Sequence, residues 1–544
     1  MWYGMKRKLG LISESRYLNQ YHKWNFAKDL REIVHGRINV LANSHTSFIA
    51  EAIVETLRDY GFESDAVYEF NKKSDQKAFY IVIAANAFLK RLPKRYIAFN
   101  VEQSISARWF TPEYLGALNK AYGVLDYSQL NISYLKQKQI RPGFLFYAKL
   151  TPRVMPVLSF EEKTTPILFY GDNSCPRRKA MLERISRKYP VKIINNLFHD
   201  DMLAELDKAR IIVNIHFYEG AMLETTRLCE ALSHGCMVVS ETSVNDAEYP
   251  ELQEMVDFTP VDDAAALEAR IDYWMSHEDE LRRKMEENRR KVAECAGLFR
   301  MFIARMLLCY KLIDFESFYE HEKNSYTIGD GRICLSLPET PERGEWFRKQ
   351  NKYGFKFFPG LRHAVGWIGC AMSYKFLARK ALDEGCSLLT ICEDDAELPA
   401  NFAEQYAELL EYVSRSDVDV YSGFLVDLKE DASILSVEPL SENRRMVVTD
   451  SFISMVFGVY KEKIQRLIAD WNPADDNPDT NTIDRYLERE SGLKVAFTWP
   501  FLVNHCEDLF STMWNFKNDF YNTHLQKSLE HITAKIDVFQ SKNG

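Results

Sequence analysis

The sequence predicts an α/β protein built from three successive units, and three observations point to that class. Short apolar runs alternate with segments whose apolar residues recur every three or four positions, as strands and helices of a parallel sheet do. Glycines such as Gly61 and Gly235 stand where helical patterns stop. Several apolar runs end in small polar or acidic residues, where an open sheet presents its carboxyl ends to ligands. At ~100–200 residues per domain, 544 residues accommodate three such units, with expected limits of 1–160, 161–325 and 326–544.

In the first unit, RINVLANS reads as a strand and SFIAEAIVETLRDYGF as a helix stopped at Gly61. AFYIVIAAN, RYIAFNVE and AYGVLDYS read as further strands. The second unit repeats the pattern. TPILFYGD, VKIINN, ARIIVNIHF and CMVVSE are strands, while RRKAMLERISRKYP and LETTRLCEALSHG are helices. The charged stretch from Ala264 to Ile313 predicts helices that finish the second unit and bridge to the third. The third unit opens on GRICLSLPETPERGEWF, a strand, a turn and a helix. LLTICEDDAELP, VDVYSGFLV and KVAFTWP supply its other strands.

Net charge is −9 with both signs mixed along the chain, which argues against nucleic acid as the main partner. None of the ten cysteines forms a CxxC pair. Most lie in apolar runs, so they read as small buried hydrophobes in a reducing compartment. The N-terminus lacks the apolar core of a signal peptide, and no stretch approaches a membrane span. The expectation is a cytoplasmic protein, with peripheral contact to the inner membrane face left open.

Glu393-Asp394-Asp395 follows the apolar run LLTIC. Three carboxylates at a strand end repel one another, and a divalent cation relieves that. Alternation puts Glu393 and Asp395 on one side, able to share a metal and a ribose hydroxyl. The alternative is an acidic turn ahead of a helix near Pro399.

ICLSLPETPER, GWIGCAMSYKFLARKAL and LLTICEDDAELPANF follow one another in that order. Together they resemble glycosyltransferase family 25, the lipooligosaccharide and collagen galactosyltransferases, over roughly residues 330–515. The resemblance implies a GT-A fold and metal-assisted transfer from a UDP-sugar, UDP-galactose in the family's manner. It puts Leu335, Arg343, Glu393 and Asp394 at the nucleotide. It makes Asp395, Glu393 and His505 ligands of Mn2+ or Mg2+. Tyr374 stands where the family has His, and Cys334 where it has Asn. An inverting transfer needs a base for the acceptor hydroxyl, and Asp484 and then Glu507 are the candidates.

In the N-terminal half, LETTRLCEALSHGCMVVSE sets Glu224, Arg227 and Glu230 at spacings of three along one helix. An acid there can hold ribose hydroxyls, while an arginine and a helix N-terminus can hold a diphosphate. The alternative is a surface salt bridge. The segment resembles the nucleotide-binding half of GT-B glycosyltransferases, with Glu230 in the ribose-binding position and Met222 where a second acid usually stands. That resemblance covers about residues 37–320. Arg177 and Arg178, after TPILFYGD, are expected at the phosphates. Glu102 and His45, beyond strand ends, are expected on the acceptor side.

The whole is then two Rossmann-like domains of GT-B type followed by a GT-A-like domain. The expected activity is sugar transfer from nucleotide-sugar donors to a glycan or glycolipid acceptor, such as a growing lipopolysaccharide or capsule, by two sites on one chain. The alternatives are a single-activity enzyme whose N-terminal half binds the acceptor, a family-25-like enzyme acting on protein, and a non-enzymatic glycan-binding protein.

Overall fold

The computed structural model describes residues 30–543 apart from 71–77, 106–107, 141–144, 196, 198, 427, 442–443, 453, 491, 507–508, 510 and 513–520. The chain forms two compact units. Among the described residues, one comprises 30–307 and Lys311–Tyr326, and the other comprises Leu308–Tyr310 and 327–543.

The N-terminal unit contains two parallel sheets. The first has strands β1 (Ile38–Leu41), β2 (Ala66–Val67), β3 (Phe79–Ile83), β4 (Tyr96–Asn100), β5 (Val124–Asp126) and β6 (Leu145–Tyr147), in the order β2-β1-β3-β4-β5-β6. Every described residue of β1, β3, β4, β5 and β6 is buried, as expected of strands covered on both faces. The second has β7 (Thr165–Tyr170), β8 (Val191–Ile194), β9 (Ala209–Asn214), β10 (Met237–Glu241) and β11 (Val256–Thr259), in the order β11-β10-β9-β7-β8. Both sheets are parallel throughout, the arrangement the alternating pattern predicts.

The long charged stretch is not one run of helix. It breaks at His277 and Ala296 into helices Ala264–Ser276, Glu278–Cys295 and Gly297–Cys309. The first two complete the second sheet's layer. The third returns to the first sheet, where Phe299 stacks on Phe99 and Phe302 meets Tyr147 edge-on. Helix Phe315–Glu322 follows the same course: its buried Glu322 accepts a hydrogen bond from Tyr60 at 2.8 Å and pairs with Arg300. The stretch therefore ties the two sheets of the N-terminal unit together.

Further bonds join the carboxyl ends of the two sheets. The Gln103 side chain, beyond β4, donates to the Met222 carbonyl (3.3 Å) and accepts from the Met222 amide (2.9 Å). Glu248, beyond β10, accepts from Ser128 Oγ, Gln129 N and Leu130 N at 3.0, 2.8 and 3.2 Å. Those groups open helix Gln129–Gln137, so a carboxylate from one sheet's loops caps a helix of the other.

The C-terminal unit is built on a mixed sheet. Its strands are β12 (Arg332–Ser336), β13 (Lys356–Pro359), β14 (Leu388–Glu393), β15 (Ala396–Glu397), β16 (Val420–Ser422), β17 (Ile434–Ser441), β18 (Arg444–Thr449), β19 (Phe457–Lys461), β20 (Val495–Trp499) and β21 (Asn504–His505). Eight of them run in the order β13-β12-β14-β19-β16-β20-β18-β17, and β15 pairs with β21 as a separate ribbon. Strands β13, β12 and β14 are parallel, and β19 enters antiparallel beside β14. Helix Gly366–Asp383 is buried along most of its length. The chain crosses it at Gly369, where a Cβ would lie 2.8 Å from the Leu361 carbonyl oxygen. Ser373 Oγ accepts from the Leu361 amide at 2.7 Å, so this Gly and Ser seat the loop entering the helix. No helix among the described residues is long and apolar enough to cross a membrane.

Candidate functional site

The richest polar cluster of the N-terminal unit lies where β7, β9 and β10 end and helix Thr225–Ser233 begins. Glu224 sits at the N-cap position of that helix, ahead of the helical turns on which the even spacing placed it. Arg227, one turn in, forms an ion pair with Glu224 and donates to Asn214 Oδ1 at 2.8 Å. Asn214 is held in turn by Ser240 Oγ at 2.9 Å. The Arg227 guanidinium lies over Gly171, the residue after β7: a Cβ there would come within 2.6 Å of Nη2. Gly171 also has φ +115°, a conformation L side chains rarely adopt. The approach of Arg227 thus depends on a glycine at the strand end.

Glu230, the next turn along, meets the Tyr170 hydroxyl at 3.1 Å. Burial pushes its carboxyl up to about 7, against the opposing pull of Tyr170 and Arg227. Glu224 behaves in the opposite way. Burial alone would raise it, but Arg227 and Arg178 together hold it below its ordinary value. Two carboxylates six residues apart are therefore shifted in opposite directions by their surroundings.

Arg177 and Arg178 were expected at the phosphates, and the structure employs both within the fold instead. Arg178 is buried, and its guanidinium donates to the carbonyls of Ile215 and Asp172 and to Glu224, each at 2.7 Å. Arg177 is taken by Glu241, Asp262 and the His216 carbonyl. They brace the strand-end loops on which Arg227 and Glu224 stand. Asn214, Tyr170 and Gly171 were not singled out from sequence. Their signal was position alone, at the ends of β7 and β9.

From the first sheet, Glu102 follows β4 and accepts from Asn86 Nδ2 at 2.8 Å, and burial raises its carboxyl above the ordinary range. Its neighbour Gln103 makes the paired bonds to Met222, which brings the Glu102 loop beside the segment leading to Glu224. Arg108 lies within reach of Glu102 electrostatically and over the Tyr218 ring at 5.2 Å. His45, itself exposed, lies in a helical turn beyond β1, and partial burial holds it below its ordinary value.

In the C-terminal unit the acidic triplet closes β14. Asp394 Oδ1 accepts from Arg343 Nε at 2.7 Å, and Oδ2 accepts from Ser336 Oγ at 2.6 Å. Asp395 Oδ2 accepts from Arg343 Nη2 at 2.7 Å and lies 3.2 Å from His505 Nε2. Asp395 Oδ1 is buried with no hydrogen-bond partner among the described residues. Glu393 meets the Tyr374 hydroxyl at 3.3 Å and the Cys370 thiol at 3.7 Å. Burial and the neighbouring aspartates push Glu393 up to about 7. Burial would raise Asp395 too, but Arg343 and His505 outweigh it and hold this carboxyl far below the usual range. In return Asp395 raises His505 against the effect of burial.

Of the expected metal set, Asp395 and His505 meet while Glu393 turns to Tyr374 and Cys370, and no group of three or more His, Cys, Asp or Glu among the described residues is placed to hold an ion. Arg343 bonds both aspartates. Buried and clamped on both aspartates, it supplies the positive charge that a cation was expected to bring. Leu335 lies opposite Glu393 in the β12–β14 register and is itself buried, so it packs beneath the site. Asp484, in the first turn of helix Ile483–Leu487, is near enough for its charge to act on Cys370 and Tyr460. Glu507 lies outside the described residues. Of the departures from the resembled motif, Tyr374 meets the triplet through Glu393.

Residues 163–296, which span the second sheet and the Arg227–Glu230 helix, match the model of a family described as glycosyl transferase-like. The match supports glycosyltransferase function for this segment and lies wholly outside residues 327–544. Among solved structures, sucrose-phosphate synthase from Thermosynechococcus elongatus is 12% identical, over 51% of this chain and 98% of that one, with a TM-score of 0.35. T4 phage BGT in complex with UDP and Mn2+ is 11% identical over 50% of this chain and 98% of that one, with a TM-score of 0.33. Anabaena HepE in complex with UDP is 10% identical over 50% and 99%, with a TM-score of 0.34. A search of curated proteins finds no match.

Proposed function

We propose that the N-terminal unit is a nucleotide-sugar-dependent glycosyltransferase whose donor binds at the carboxyl ends of β7 and β9. One observation carries this reading. Arg227 and Glu230 stand on successive turns of a helix that starts at those strand ends, inside the segment with the glycosyl transferase-like match. Arg227, aimed over Gly171, would take the diphosphate together with the helix N-terminus. Glu230 would take the ribose hydroxyls. Glu102, raised by burial, is the candidate to receive the proton of the acceptor hydroxyl as its oxygen attacks the anomeric carbon and the bond to the diphosphate breaks.

The test is nucleotide release from UDP-glucose, UDP-galactose and UDP-N-acetylglucosamine by the full chain. Arg227→Met and Glu230→Gln are expected to raise KM for the productive donor about tenfold or more, from loss of charge-assisted hydrogen bonds. Glu102→Gln is expected to lower kcat with KM little changed. Release that is unaffected by all three substitutions would exclude this site.

A second reading adds the C-terminal unit as another transferase of the family-25 kind. It is favoured by Glu393, pushed up to about 7 at the end of parallel β14 with Asp484 close to Cys370. There Arg343 and His505 neutralise the aspartates, leaving Glu393 and Asp484 for the acceptor or donor hydroxyls. No step is assigned to a metal. If both units transfer sugar, Glu393→Gln and Asp484→Asn abolish one product while Arg227→Met abolishes the other. Loss of both products from either set would make the enzyme single-activity.

A further inference from the structure

A second recess of the C-terminal unit stands apart from the acidic triplet. The ribbon β15–β21 pairs Ala396 with His505 and Glu397 with Asn504. Directly opposed residues of an antiparallel pair point to the same side, and successive residues to opposite sides. His505 turns to Asp395. Glu397 and Asn504 turn the other way and line a cavity of about 530 Å3. The ribbon is therefore a wall shared by the acidic site and this cavity.

The cavity's remaining lining is mixed. Phe501 and Leu398 give it apolar surface, and Gln405 and Arg444 give it polar groups. Arg444 opens β18, and the next residue pairs with Trp499 at the end of β20, which places it beside the Pro500–Leu502 turn. Arg444 Nη1 faces Glu408 at 3.9 Å, too far for a hydrogen bond. Arg444 Nη2 is buried with no hydrogen-bond partner among the described residues. A buried guanidinium donor left without an acceptor costs stability unless a ligand supplies one.

Charge and shape narrow what that ligand is. Glu397 lines the cavity and Glu408 faces the same guanidinium, so Arg444, the one cation among the described lining residues, is balanced and an anion gains little. An amide pair, a carboxylate and an arginine around an aromatic ring suit a ring that carries hydroxyls on its edge and C–H groups on its faces. The volume exceeds what one pyranose fills. We propose that this cavity binds a neutral disaccharide segment of a glycan. Arg444 Nη2, Asn504 and Gln405 would bond its hydroxyls, and Phe501 would cover a sugar face. The choice of a glycan rests on the glycosyltransferase reading. In that setting the cavity is a subsite for acceptor units one ribbon's width from the acidic triplet.

The experiment is saturation-transfer difference NMR on the full chain with lactose, maltose, cellobiose and chitobiose at millimolar concentration, and glucuronate as the charged control. At least one disaccharide is expected to give signals. Arg444→Met and Phe501→Ala should each weaken its affinity about tenfold, and Arg444→Lys should restore part of the loss. A melting temperature of Arg444→Met no lower than that of the wild type shows that folding is not the cause. Silence from all four disaccharides, signals indifferent to Arg444, or tighter binding of glucuronate would overturn the proposal. Nucleotide release separates the two claims. Arg444-dependent saccharide signals without any release leave the cavity standing and sink the transferase reading. Release without such signals does the reverse.

Discussion

Glu230 links the candidate donor site to pH. Its carboxyl is pushed from 4.5 to about 7, chiefly by burial. Within that window the folded chain keeps a proton that the unfolded chain has released, so stability falls as pH rises through it. Glu230→Gln removes the effect. Between about pH 5 and about pH 8 the wild type should lose on the order of 2 kcal/mol relative to the variant, read by urea denaturation at both values. Parallel curves would show that Glu230 is ionised throughout. Gly171 offers a second residue-scale test. Gly171→Ala combines a φ of +115° with a clash against Arg227 Nη2, and should cost roughly 1–3 kcal/mol. In an Arg227→Ala background the clash partner is gone, so the cost should shrink; additive costs would place Arg227 elsewhere. Glu230 and Arg227 were legible from their helical spacing. Gly171, Tyr170 and Asn214 were not, because a strand-end residue acquires its role only when the sheet order brings it beside another chain segment.

At the scale of elements, Arg343 holds the turn after β14 to the start of helix Pro341–Gln350. Removing its charge leaves two buried aspartates facing each other. Arg343→Met should therefore destabilise the protein by about 3–5 kcal/mol, with partial rescue by Arg343→Lys, measured by denaturant unfolding. A loss below about 1 kcal/mol would mean that the aspartates find another counter-charge. The sequence made this triplet visible but not its arginine: spacing says that three acids meet at one strand end, but not that an arginine fifty residues earlier folds onto the two aspartates. The motif around Gly369 and Ser373 was legible as a pattern, and its meaning emerged as packing, a close backbone crossing at Leu361. The hairpin β17–β18 escaped notice. Pro439 and Arg444–Arg445 interrupt its apolar alternation, and register shifts in the pairing blur the period further.

At the scale of the whole molecule, parallel sheets followed from alternating periodicity, but the joining of the first two did not. Glu248 capping helix Gln129–Gln137, Gln103 clasping Met222, and the return of helix Gly297–Cys309 to the first sheet are long-range contacts without a local pattern. They hold the strand-end loops of two sheets together, which is what a reaction between a donor and an acceptor requires. Glu248→Ala should lower the melting temperature and shrink the further stabilisation gained from a bound nucleotide, since binding must then also order a junction the cap no longer secures. An unchanged increment would show that donor binding and the joining of the sheets are independent.

The central claim is that Arg227 and Glu230 form a nucleotide-sugar site. Calorimetric titration of UDP into the full chain, wild type against Arg227→Met and Glu230→Gln, tests it most directly. The expected result is binding by the wild type with proton release near neutral pH, as Glu230 ionises onto the ribose, and affinity reduced about tenfold or more in each variant. Equal affinity in all three proteins would contradict it.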